Sequence, residues 1–125
     1  MRIPDLSDIQ EQQAQPEGEY DFKVVSAKDV VSKNTGREGI RLGIQLTGVS
    51  AAKMINESMW LPMDSDSDDK AEIMWRMLKE RIRAFGLPES GCATEDFIGL
   101  EKRGLFKLSQ WEDGTEVNEL VRIVD

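Results

Sequence analysis

Apolar and polar residues alternate most regularly from Ile40 onward, where Ile40, Leu42, Ile44 and Leu46 are interleaved with Arg41, Gly43, Gln45 and Thr47. That period of two predicts a strand with one buried face. Upstream, Tyr20 to Val31 is rich in β-branched and aromatic residues. Ser32-Lys33-Asn34-Thr35-Gly36 between the two stretches supplies turn chemistry, so residues 18–48 read as one long hairpin. Arms of this length in a small β domain are expected to coil and to join two sheet regions. Met54 to Met63 predicts a third strand, with Ile55, Met59 and Leu61 on one face and Asn56, Ser58 and Trp60 on the other. Glu57 interrupts its apolar face, and Pro62 ends it because proline cannot donate into a ladder.

The period then changes. Over Asp69 to Phe85 the residues Ala71, Met74, Trp75, Leu78, Ile82 and Phe85 follow helical spacing, which predicts a helix with Trp75 inside its buried stripe. Gly86 and Pro88 supply the stop. A polar loop over 87–97 leads to Gly104–Trp111 and Glu116–Val124, two further strands joined by a turn with Asp113-Gly114 at its centre. The order β-β-β-α-β-β predicts a mainly β fold: a five-stranded OB-fold barrel with one α-helix between strands 3 and 4.

Composition narrows the chemistry. With no histidine and a single cysteine, Cys92, the chain holds no Ser-His-Asp triad, Cys-His dyad or Cys/His zinc site of its own, and no internal disulfide. A lone cysteine makes an intracellular setting the default. No phosphate-cradling GxxxxGK[ST] or GxGxxG motif, no apolar run of membrane-spanning length and no secretory signal pattern is present. A binding module is therefore expected rather than an enzyme, with no metal and no cofactor. The formal net charge of −8 argues against a polyanionic partner only until its distribution is read: residues 18–63 carry six of the sixteen bases, while acid concentrates in the arm over 1–17, the loop over 64–69 and the last third. Asp64, Asp66 and Asp68 imitate the start of a calcium loop, but Asp69 stands where glycine is needed and Trp75 where a bidentate Glu is needed. These residues read instead as a cap for the following helix. Residues 1–17 read as a flexible acidic, Gln-rich arm with one turn of helix at Ser7 to Gln13, and residues 18–125 as the folded domain.

Five motifs in order, Pro16-Glu17-Gly18-Glu19-Tyr20, Asn34-Thr35-Gly36, Phe85-Gly86-Leu87, Phe97-Ile98-Gly99-Leu100 and Asp113-Gly114 with Val117-Asn118, resemble the small OB-fold single-stranded DNA-binding proteins of tailed bacteriophages. The resemblance covers residues 16–124. It implies sequence-independent binding of single-stranded DNA in phage replication, recombination or repair, in the cytoplasm of an infected bacterial host. Phage replication or recombination proteins are the implied further partners, and a homo-oligomer is compatible with it. The acidic C-terminal tail common in that family has no counterpart before Asp125. In OB folds the ligand crosses strands two and three between the flanking loops. Mapped here, that face selects Arg37, Arg41, Gln45, Lys53 and Trp60, with Lys33 in the first loop and Trp111 beside the last. Lys23, Lys28 and Lys107 extend the basic track. Gly39 and Gly43 either admit a base to the backbone or permit a bend, and Tyr20, Phe22 and Phe106 read as core. The alternative reading is an acidic protein-interaction module, a replication accessory subunit or a DNA-mimicking inhibitor.

Overall fold

A computed structural model describes residues 1–124. The long hairpin is present as β1 (Gly18–Val31) and β2 (Glu38–Leu46), closed by the turn in which Ser32 and Arg37 pair through their backbones. β3 (Ile55–Trp60), α1 (Asp68–Ala84), β4 (Glu101–Gln110) and β5 (Glu116–Ile123) follow in the expected order. The one added element is a short 3-10 helix, Thr94–Phe97, inside the stretch read as a polar loop. All strand pairs are antiparallel, and they form one open five-stranded sheet in the order β3-β2-β1-β4-β5. No ladder joins β3 to β5 among the described residues. β1 does serve two sheet regions: Gly18–Lys23 pairs with β4, and Phe22–Val31 pairs with β2.

The core lies on the inner face of this curled sheet. Phe22, Val24, Leu42, Ile44, Leu46, Ile55 and Phe106 are buried there, as the alternation of β2 predicts, although Ile40 at the start of the row is only half-buried. Phe22 meets Phe106 edge to face at 5.6 Å and Phe85 at 6.3 Å, and Phe85 meets Phe97 at 5.4 Å. Burying each such ring contributes roughly 2–3 kcal/mol. Tyr20 stays half-buried at the margin, its hydroxyl donating to the Pro16 carbonyl at 2.6 Å.

Ser67 caps α1 by accepting from the Lys70 N–H at 3.2 Å, and Asp68 and Asp69 occupy the first turn near the positive end of the helix dipole. Gly86 ends the helix in the left-handed region, at φ 80°. The helix itself fully buries no residue: Leu78 and Ile82 pack half-buried against the core, and Phe85, just beyond the last turn, enters it. Trp75 is 53% exposed, against the expectation that it is core, and Ile73 and Met77 are exposed as well. The apolar positions of α1 span more of its circumference than the sheet covers, and Trp75 sits at the uncovered margin.

At the other end of the chain, the arm has no helical turn at Ser7 to Gln13. A turn closed by Ile9 N–H to Leu6 carbonyl replaces it. Gln13 then forms a parallel bridge with Ala52, and Gln15 exchanges two hydrogen bonds of 2.8 Å with the side chain of Asn118 in β5. Asn118, the only buried polar residue among those described, also donates to the Lys107 carbonyl. Residues 13–15 thus strap the connector before β3 to the far edge strand.

Candidate nucleic-acid interface

Cross-strand register places the outward residues of β1, β2 and β3 in rows: Lys23 beside Gln45; Ser26, Gly43 and Asn56; Lys28, Arg41 and Ser58; Val30, Gly39 and Trp60. No carboxylate falls in these rows, on a chain whose formal charge is −8; before them β1 turns Glu19 and Asp21 to the same side, and Glu101 of β4 stands across from Lys23. Arg41 extends across β3, its Nε 3.4 Å from the Ser58 hydroxyl. The indole of Trp60 lies over Gly39, where an added Cβ would stand 2.6 Å from Cε3. Gly39 therefore makes room for Trp60 rather than for a base. Gly43 is likewise covered by the Ser26 hydroxyl, 2.2 Å from where a Cβ would sit.

A bulge explains how both lysines of β1 reach this face. Lys23 and Lys28 are an odd number of residues apart and would point to opposite sides of a regular strand. The register shifts between Val24 and Ser26, so Phe22 and Val24 point inward before the bulge while Ser26 and Lys28 point outward after it.

The remaining sequence-selected residues lie elsewhere. Arg37 is not on the outer face. Its guanidinium grips Asp66 with both terminal nitrogens, at 2.8 and 2.9 Å, and donates to the Leu61 carbonyl at 3.0 Å. The two side chains are 15% and 5% exposed, so this pair ties the start of β2 to the loop before α1. The hydrogen bond from Arg37, helped by the Met63 N–H, holds the Asp66 carboxyl far below the usual carboxylate range. Lys33 is exposed in the β1–β2 turn. Gln45 reaches toward the Ala52 carbonyl at 3.4 Å, and Lys53 toward the Glu116 carbonyl at 3.5 Å. Trp111 closes the β4–β5 hairpin through its backbone, donating to Thr115 at 2.8 Å, and its side chain is exposed. Arg41, Gln45 and Trp60 thus share the outer face, with Lys33 and Trp111 on separate loops. Lys107 is paired with Glu119 at 3.0 Å. Ser26, Asn56 and Ser58 were not singled out from sequence, because small polar residues become recognisable as part of a face only once the register is known.

The reverse side of β3 faces α1. Here Glu57 sits on the inner face, as its place in the alternation required, beside a groove of about 270 Å³ walled by Met59, Trp60, Met74, Met77 and Leu78. Burial raises the Glu57 carboxyl above its ordinary range, while the charge of Arg81 and the backbone N–H of Leu120 in β5 act in the opposite direction. Arg81 also lines the groove, and one of its terminal nitrogens is buried with no hydrogen-bond partner. No helix among the described residues is long and apolar enough to cross a membrane.

No curated protein matches the chain. The matching family model spans the arm, the three-stranded face and α1, and ends within β4, so it takes in Lys33, Arg37, Arg41, Gln45, Lys53 and Trp60 but not Trp111. Through that match over residues 4–107, the chain belongs to the family described as Protein of unknown function (DUF669).

Proposed function

We propose that the chain is a sequence-tolerant single-stranded DNA-binding protein of the phage OB-fold kind, acting in DNA replication, recombination or repair in the bacterial cytoplasm. The observation that carries this reading is that the outward rows from Lys23 to Val30 of β1, continued across β2 and β3, hold no carboxylate on an otherwise acidic chain, while Glu19 and Asp21, which precede them on β1, are paired with Arg103. Lys23, Lys28 and Arg41 give that face cations for a phosphate backbone, Gln45, Asn56 and Ser58 supply neutral hydrogen-bonding groups, and Trp60 offers a ring at one end. Lys33 and Trp111 on the flanking loops extend the track. The sheet is read as an OB barrel on three grounds: the element order, the nearness of Glu57 in β3 to Leu120 in β5, and the strap over residues 13–15. Phage replication or recombination proteins are the partners this role entails.

The test is tryptophan quenching by oligo-dT in a Trp75→Phe/Trp111→Phe background, which leaves Trp60 as the reporter. Quenching that weakens steeply with salt is expected, since phosphate contacts release counterions. Lys28→Ala and Arg41→Ala should each lower the salt slope by about one, and Trp60→Ala should cost roughly 1–3 kcal/mol of binding. Absence of quenching at low salt, or equal affinity for duplex DNA, overturns the reading.

A further inference from the structure

The groove between β3 and α1 is walled by apolar side chains, with Glu57 and Arg81 at its side and one terminal nitrogen of Arg81 without a hydrogen-bond partner. Met74, Met77 and Leu78 wall it from the helix and Trp60 from the strand, and that nitrogen is buried. An orphaned buried donor of this kind costs free energy until an acceptor reaches it. The apolar surface continues beyond the groove, because Ile73 lies one turn before Met77 on the same side of α1; the two are 53% and 64% exposed.

The same chain carries a second unpartnered surface of complementary chemistry. In the N-terminal arm Ile3, Leu6 and Ile9 are 72%, 56% and 70% exposed. Their spacing of three would bring them to one side if the arm turned helical on docking. Asp5, Asp8 and Glu11 are interleaved with them, and residues 1–17 hold one base against four acids. α1 has the opposite balance: Lys70, Arg76, Lys79, Arg81 and Arg83 outnumber its acids beyond the first turn. The arm's root is fixed to the connector before β3, by Gln10 against Ser50 and by Gln13 between Ala51 and Lys53.

We propose that the arm of a second copy of this chain docks in the groove, Ile3, Leu6 and Ile9 covering Met77, Met74 and Leu78 while an arm carboxylate reaches Arg81. Each copy then gives one arm and receives one, and a two-fold pair satisfies both surfaces at once without leaving an open end. This goes beyond the DNA-binding reading and is tested without DNA, so failure of either leaves the other standing.

The experiment is light scattering of the full chain over micromolar to submillimolar concentrations, with Leu6→Asp and Met77→Asp as variants. Both side chains are exposed, so both variants should keep the parent's melting temperature at concentrations where the parent is monomeric. The parent is expected to form a reversible dimer and each variant to remain monomeric. An equimolar mixture of the two variants should form a heterodimer, because the intact arm of the Met77→Asp chain still fits the intact groove of the Leu6→Asp chain. A parent that stays monomeric overturns the proposal, whether Trp60 emission, read in the Trp75→Phe/Trp111→Phe background, is unchanged by Leu6→Asp or shifts with it, the latter indicating that each arm folds onto its own groove. A dimer unaffected by either variant, or a mixture with no heterodimer, overturns it as well.

Discussion

Arg37 shows how one side chain can be recognised as important and still be given the wrong task. A lone arginine at the start of a strand, two rows from Arg41, reads as part of a basic track. Its partner Asp66 lies 29 residues away in a segment that imitates a calcium loop, and nothing local in the sequence links the two. Removing Arg37 leaves the Asp66 carboxylate without its main donor, so Arg37→Ala should lower the midpoint of urea titrations. The Asp66 carboxyl has a lower pKa folded than unfolded. Its stabilising contribution is therefore present above the unfolded value, near pH ~4, and is lost as pH falls toward the folded value. Asp66→Asn should accordingly show a shallower loss of stability in acid than the parent. Glu57 has the opposite sign: burial raises its folded pKa, so its ionised form at neutral pH works against folding. Glu57→Gln, which keeps an acceptor for Leu120, should melt at a higher temperature than the parent at neutral pH. That gap should close below about pH 4, where the parent's carboxyl is protonated in both states.

At the scale of elements, strands and helix were legible because each has a clean period, and β2 is the clearest case: one residue in two is apolar and that half forms the core. Two features were not legible. The bulge at Val25 reverses the facing of β1 midway, and a bulge has no fixed composition, so the sharing of one face by Lys23 and Lys28 emerged only from the register. The buried side of α1 was misjudged at Trp75, because an apolar arc wider than its contact does not reveal which part the sheet will cover. The distinction is measurable. Phe85→Ala, which empties the centre of the edge-to-face cluster, should cost about 3–5 kcal/mol, whereas Trp75→Ala should change stability by less than about 0.5 kcal/mol in the same denaturant titration. Of the candidate face, Arg41 and Gln45 were readable from alternation alone, since both sit on the polar phase of β2, whose apolar phase is unmistakable, and Trp60 from the interrupted alternation of β3.

For the whole molecule the organising question is what holds the two edges of an open sheet. The strap formed by Gln13 and Gln15 answers part of it, with Asn118 as its anchor. Asn118→Ala leaves the Gln15 N–H and carbonyl without their partners, and is expected to lower stability by about 2–3 kcal/mol and to speed amide exchange at Gln15 relative to the centre of β1. The strap also sets a timetable. Gln15 leaves the ribosome 103 residues ahead of Asn118. At ordinary rates of synthesis, that separation amounts to roughly 5–20 s during which the arm has emerged but the side chain that fastens it has not been made. A segment translated before every strand is thus among the last to be secured, and the growing chain must keep its arm and both sheet edges free of misplaced contacts until β5 arrives.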